Sequence, residues 1–372
     1  MNESTPTRRE YHDRQSAVAR ALPEHGCDAL VSTPGTNLRY LTGLTIHRML
    51  RLCAHVLPGA GEPALIAPAF EESNIRRVMT EGALIPWDES VDPYRLLADR
   101  LVSQFGPGVR VGLEPTTWFW MAERMRDALP EGARLIDAGP LLDKFRSRKS
   151  PGEVDQIRRA GDMAEAAVHV ARLHLRLGMT ELEAAGILID SVKTEEGFHE
   201  PLVQFGPNSA IPHAAAGHRL LERGDMVLFD LSGLVGGYLS DITRMTTYGD
   251  ATPEMKNVYA IVLEAQQAAI NAAGPGVACQ DVDRAARQVI TRAGYGEFFT
   301  HRTGHGLGLD IHESPFLVEG NRSLLEPGQV VTIEPGIYLP GRFGVRIEDD
   351  ILITETGVDV LTEPQTSLVE TP

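Results

Sequence analysis

The spacing of apolar and polar positions changes several times along the chain, and each change marks an element. Residues 8–24 are polar with apolar positions at helical intervals. Residues 27–32 predict a short strand, stopped at Pro34-Gly35. Val56-Leu57, the turn Pro58-Gly59-Ala60-Gly61 and the run 64–67 predict strand, turn and strand. Residues 70–81 predict a helix and 109–114 a further strand. This alternation predicts an N-terminal α/β domain over residues 1–145. A basic connector with Pro and Gly, 144–153, closes it. There Ser150, Pro151 and Glu153 form the signature of a capped helix start, so a long helix should follow, with Ile157, Ala160, Met163 and Ala167 on one face. Gly178-Met179-Thr180 should end it, and Thr180 should cap a second helix running to about residue 196. The chain then turns strand-rich, becomes helical at 253–273 and 280–293, and is strand-rich again to about residue 362. Residues 146–372 therefore read as two related halves, each offering strands to a shared sheet. The repeat lies in the pattern and not in residue identity.

Composition narrows the class. The 372 residues are 42% hydrophobic and 23% charged, which suits a globular protein of two domains. The net charge is −16, with no Lys/Arg-rich run, so neither nucleic acid nor an anionic membrane surface is expected as a partner. No apolar stretch approaches the ~18 residues of a membrane span. No apolar segment follows Arg8-Arg9, so no signal peptide is expected. Cys27, Cys53 and Cys279 are scattered and lack a CxxC partner, which predicts a reducing, cytoplasmic location and no thiolate metal site.

The candidate chemistry lies in two hairpins. Residues 226–233 and 236–244 are β-prone runs around a Gly-rich turn. A hairpin centred between Val235 and Gly236 would set Asp230 opposite Asp241 on one face. A second hairpin, centred near Gly341, would set Glu334 opposite Glu348 within apolar, β-branched surroundings. Paired buried carboxylates repel and are costly to desolvate, so a shared cation would explain both pairs. His305 follows in a stretch where Gly304 and Gly306 allow close backbone approach. The four carboxylates carry four negative charges, which two divalent cations balance. Such a donor set suits Mn²⁺ or Co²⁺ and also admits Zn²⁺ or Fe²⁺. A metal pair of this kind lowers the pKa of water and polarises a carbonyl.

Asp230, Asp241, His305, Glu334 and Glu348, in this order and spacing, resemble the five metal ligands of the pita-bread metallopeptidases. The runs Gly304-His305-Gly306-Leu307-Gly308 and Ile333-Glu334-Pro335-Gly336-Ile337-Tyr338 belong to the same likeness. Gly206-Pro207-Asn208-Ser209-Ala210-Ile211-Pro212-His213 and His312-Glu313-Ser314-Pro315 are similar to histidine motifs of the proline-specific branch, the Xaa-Pro dipeptidases (prolidases) and aminopeptidase P. The stretch 37–43 resembles a motif of that branch's N-terminal domain.

The resemblance implies an α+β fold: a C-terminal pita-bread catalytic domain with pseudo-twofold halves over 146–372, and a creatinase-like N-terminal α/β domain over 1–145. It implies two divalent cations per subunit, with Asp241 and Glu348 serving both ions, and Glu334 doubling as a proton shuttle. His213 and His312 would hydrogen-bond the substrate carbonyl and the tetrahedral intermediate. Arg346 matches an Arg near the site and is the candidate for binding a substrate carboxylate, with a structural role as the equal alternative. The implied substrates are small proline-containing peptides, and the implied assembly is a homodimer. The shortness of the chain favours the dipeptidase over aminopeptidase P. Creatinase-like relatives that replace the metal ligands are a further branch, but here all five ligands are present.

Overall fold

Three helix starts in this chain are written as Ser or Thr with Glu three residues on. In the computed structural model, which describes residues 7–79 and 82–372, Thr7/Glu10, Ser150/Glu153 and Thr180/Glu183 each form a reciprocal capping box. The described residues fall into two compact units that divide between Arg146 and Ser147.

The first unit runs α1 (Arg8–Ala21), β1 (Ala29–Ser32), α2 (Thr36–Thr42), β2 (Ala54–Pro58), β3 (Ala64–Pro68), α3 (Glu72–Val78), β4 (Ala83–Trp87), α4 (Pro93–Phe105), β5 (Arg110–Leu113), α5 (Phe119–Ala128), β6 (Arg134–Asp137) and α6 (Gly139–Arg146). Its mixed sheet has the order β4-β3-β2-β1-β5-β6. Leu97 and Leu101 of α4 and Met121 and Met125 of α5 join Val31, Val56, Ile66 and Val111 of the sheet in one buried cluster. The helix expected over 70–81 begins later. Pro68 is still extended, a 3₁₀ turn covers Ala69–Glu71, and α3 follows, with positions 80 and 81 outside the described residues.

The second unit runs α7 (Pro151–His174), α8 (Glu181–Val192), β7 (Leu202–Phe205), β8 (Met226–Leu231), β9 (Leu234–Val235), β10 (Tyr238–Leu239), β11 (Ile242–Tyr248), α9 (Pro253–Ala272), α10 (Cys279–Arg292), β12 (Gly304–Gly306), β13 (Glu313–Leu317), β14 (Val330–Ile333), β15 (Gly336–Leu339), β16 (Phe343–Arg346), β17 (Asp349–Ile353), β18 (Val358–Val360) and β19 (Val369–Thr371). Two boundaries differ from the expected ones. The long helix ends at His174, because Leu175 is already extended, and Gly178 serves in the turn after it with φ 77°. The next helix ends at Val192 rather than near 196. Thr194 and Gly197 bond each other's backbone there, with Gly197 at φ 112°.

The two halves are visible as two cores. Helices α7 and α8 pack with Val227, Phe229, Leu231 and Ile242. Helices α9 and α10 pack with Val331, Ile333, Ile351 and Ile353, and also with Met226, Leu228 and Met245. The hydrogen-bonded sheet is interrupted rather than continuous, with orders β19-β11-β8-β7 and β13-β12-β14-β17-β18. The two sheets are joined by a bridge pair, Thr243 with Glu348, where the Glu348 N–H donates to Thr243 O at 3.3 Å. No helix among the described residues is long and apolar enough to cross a membrane.

Candidate metal centre and active site

Strand alternation aims the acidic side chains. Along β8, Val227, Phe229 and Leu231 face the α7/α8 core, while Met226 and Leu228 face the α9/α10 core. Asp230 continues the second series. On the antiparallel neighbour, Thr243 pairs with Asp230 and Met245 pairs with Leu228, so Asp241 continues that face two residues beyond Thr243. Asp230 therefore lies opposite Thr243 and not opposite Asp241. The turn is centred between Gly236 and Gly237, both in left-handed conformations at φ 59° and 86°. Moving the turn centre by one residue shifts the partner by two. An even shift preserves the face, so both carboxylates still reach one site.

In the other half the register is uniform. Ile333 pairs with Asp349 and Gly336 with Arg346, which places Glu334 opposite Glu348. Their odd-numbered neighbours Ile333 and Ile351 are in the core, which leaves Glu334 and Glu348 on the other face with Thr332 and Asp350. Gly306 pairs with Val331, bringing His305 alongside Thr332, whose hydroxyl accepts the His305 N–H at 3.1 Å. A Cβ on Gly304 would lie 1.9 Å from Thr332 O, so only glycine permits this approach.

These segments meet around a cavity of about 400 Å³ lined by His213, Asp230, Asp241, His301, Arg302, His305, His312, Glu334 and Glu348. His305 Nδ1–H donates to Gly306 O at 3.0 Å, which leaves the Nε2 lone pair facing the acids. Nε2 stands 3.4 Å from Glu334 Oε1 and 3.8 Å from Asp241 Oδ2. Ligand atoms of Asp241, His305 and Glu348 all lie within 4.8 Å of one another. Burial, reinforced by the neighbouring carboxylates, pushes the Asp241 and Glu348 carboxyls well above their usual range. Burial raises Glu334 to about 7, with Arg346 opposing the shift. Burial also lowers His305 to about 3. Carboxylate oxygens turned on one another beside one neutral imidazole form the donor set of a divalent metal. The residues present fit such ions.

Of the residues singled out in the sequence, the five ligand candidates, His213 and His312 all line the cavity; Arg346 does not. Its side chain is buried at 2% exposure. Its Nε donates to Thr243 Oγ1 at 3.0 Å, and Nη1 donates to Tyr338 Oη at 2.9 Å and Pro212 O at 3.3 Å. Nη2 is paired with Asp230. Of the two roles open to Arg346, binding a substrate carboxylate or a structural one, these contacts fit the structural one: its N–H groups are turned to protein groups behind the cavity wall. Thr243 Oγ1 in turn donates to Glu348 Oε2 at 2.7 Å, so Arg346 orients ligand candidates on both halves.

His301 and Arg302 line the cavity and were missed as site residues. Nε2 of His301 lies 2.7 Å from Tyr338 Oη, and Nδ1 lies 2.7 Å from Arg302 O. Since Tyr338 Oη accepts from Arg346, it donates to His301, and the imidazole carries its proton on Nδ1. Burial first, and the charge of Arg346 next, lower the His301 pKa to about 4. The available signal was a second imidazole four residues before His305. Arg302 stacks on Phe316 at 4.5 Å and has no hydrogen-bond or ion-pair partner among the described residues.

Two buried carboxylates hold the loops of the other imidazoles. Glu181 Oε1 accepts Phe205 N at 2.8 Å and Asn208 Nδ2 at 2.9 Å, while Oε2 accepts Gly217 N at 2.9 Å, so it clasps both sides of His213. Glu313 adjoins His312, whose ring packs edge-on against His305 at 4.4 Å.

Comparison with known proteins identifies the family. Residues 155–355 match the model of metallopeptidase family M24, and residues 14–148 that of the creatinase/prolidase N-terminal domain. A probable dipeptidase, PepE, of Mycobacterium tuberculosis is 37% identical over 360 residues, covering 93% of each chain. The structure of a recombinant prolidase from Thermococcus sibiricus superposes with a TM-score of 0.91 at 34% identity, covering 97% of this chain and 99% of that one. An X-Pro aminopeptidase from Thermotoga maritima superposes at 0.83 with 30% identity, covering 94% and 99%. With both domain models matched, and five acidic and imidazole side chains meeting in the cavity between its two half-sheets, the chain belongs to metallopeptidase family M24.

Proposed function

We propose that the protein hydrolyses the peptide bond before proline, most readily in Xaa-Pro dipeptides, with two divalent cations held by Asp230, Asp241, His305, Glu334 and Glu348. The observation that carries this reading is the convergence of those five side chains with His213 and His312 in one cavity. Relatives described as prolidase and dipeptidase support the substrate class. Mn²⁺ or Co²⁺ fits the oxygen-rich set, with Zn²⁺ also admitted. When bound, the cations supply an activated water and Lewis-acid polarisation of the carbonyl. The chain's own groups do the rest. His213 and His312 donate hydrogen bonds where oxyanion charge develops. Glu334 moves a proton to the proline nitrogen, which must gain one to leave as an amine when the C–N bond breaks.

Restriction to dipeptides needs a cation for the free proline carboxylate. Arg302 lines the cavity wall with no hydrogen-bond or ion-pair partner among the described residues, whereas Arg346 is committed to Asp230. The likeness to the X-Pro aminopeptidase favours a second reading, release of the first residue from longer Xaa-Pro peptides. The protein acts on small peptides in the cytoplasm, a placement that suits three free, buried cysteines, and it works as a homodimer.

The test is metal analysis of the purified protein, with hydrolysis of an Xaa-Pro dipeptide, its C-terminal amide and an Xaa-Pro-Yaa tripeptide compared before and after chelation. The dipeptide should be preferred, and R302M should abolish that preference without changing metal content. Activity surviving complete metal removal overturns the reading. Preference for the tripeptide selects the aminopeptidase.

A further inference from the structure

Lys149 and Glu313 form an ion pair that neither the ligand set nor the cavity wall uses. Their side chains are 1% and 8% exposed, with Nζ 3.1 Å from Oε2. The other carboxylate oxygen, Oε1, accepts the Asp310 N–H at 3.0 Å. Glu313 therefore closes the short loop 310–313, in which His312 is the preceding residue. The backbone passes directly over the pair at Gly308. A Cβ there would lie 2.9 and 3.0 Å from the Glu313 oxygens and 3.0 Å from Lys149 Cε. Gly308 is itself held, its N–H donating to Asp310 O at 3.0 Å and its carbonyl accepting from Leu239 N at 2.8 Å.

The lysine end is anchored independently. Lys149 N donates to Gly328 O at 2.7 Å, and the next residue, Ser150, caps a helix of 24 residues. The ammonium thus has a fixed position, and through Glu313 it fixes the loop that presents His312 beside His305.

We infer that Lys149 and Glu313 are positioning residues, which aim the His312 imidazole at the carbonyl in the metal site; this rests on the reading of His312 given above. Stability alone is a poor reason for the pair. A buried ion pair is often replaced by apolar groups of similar volume without loss, whereas breaking it leaves an uncompensated charge. What apolar groups cannot supply is the directed bond from Asp310 N to Glu313, and with it the loop geometry.

The test uses K149R, K149M and the double variant K149M/E313L in the metal-loaded enzyme, with Ala-Pro as substrate. K149M should lower kcat by on the order of 10–100-fold at nearly unchanged KM and metal content. The double variant should regain the melting temperature that K149M loses, yet not regain kcat. K149R should recover stability and part of kcat. A double variant with wild-type kcat overturns the proposal, as does a K149M protein with normal turnover. The His312 ring resonance in ¹³C-labelled protein supplies a readout without substrate, and it should shift or broaden in K149M. If wild-type protein does not cleave Ala-Pro, the proposed function fails, while an unmoved His312 resonance still rejects the positioning role.

Discussion

Each side chain in the cavity is distinguished by what its second bonding atom is doing. His305 spends Nδ1–H on Gly306 O and so offers Nε2; His301 spends Nδ1–H on Arg302 O and accepts from Tyr338. His213 and His312 belong to neither the ligand set nor that chain of bonds. Replacing either with Ala should leave metal content intact and lower kcat by about 10²–10³, with little change in KM. Steady-state kinetics with metal analysis decides it; normal kcat in a folded, loaded variant removes that His from the reaction. Glu334 sets a pH dependence. Its carboxyl stands at about 7 in the folded, metal-free site against an ordinary 4.5. Between these values the folded state holds a proton that the unfolded chain has released, so stability falls as pH rises. Asp241 and Glu348 act in the same direction. His305, lowered to about 3, favours folding as pH rises, but only up to its ordinary 6.5. Chelated protein should therefore lose melting temperature as pH rises towards and through about 7, while metal-loaded protein should not. Parallel curves in calorimetry would contradict this.

At the scale of elements, legibility followed locality. Capping boxes are read from four adjacent residues, and the Ser150 and Thr180 helix starts stand where the sequence puts them. The Glu334–Glu348 pairing was legible because one turn and an unbroken register connect the two. The Asp230 partner was misplaced by two residues because Gly236 and Gly237 both take the turn, a choice that alternation alone does not reveal. The direction of Arg346 was not legible, since it answers to Asp230, 116 positions away. Glu181 was not legible either: it looks like an ordinary first-turn helix acid, yet it is 1% exposed and clasps β7 to the loop after His213. Glu181→Ala strands two backbone N–H groups. It should cost on the order of 1–3 kcal/mol for each group left buried without a partner. Thermal unfolding should show that loss, and hydrogen exchange should rise at Phe205 and Gly217. Unchanged protection at both would refute the clasp.

For the molecule as a whole, the ligand candidates are divided between the halves. Asp230 and Asp241 come from the β8/β11 side, and His305, Glu334 and Glu348 from the other. Asp241→Ala and Glu348→Ala remove one donor from each side of the seam. Both should abolish turnover and reduce bound metal, as mass spectrometry of the native protein would show. A variant with normal metal and turnover would remove that residue from the ligand set.

The bridge pair of Thr243 and Glu348 gives this division a thermodynamic meaning. Separating the two sheets there divides the donors and so releases the ions. Separation therefore becomes rarer by mass action as free metal rises. Well above the dissociation constant, each tenfold increase should add about 1.4 kcal/mol for each ion released. Amide exchange along that seam, followed across a metal-buffer series, would then count the ions that hold the halves together. One ion would give a slope of one decade of protection per decade of metal, and two a slope of two.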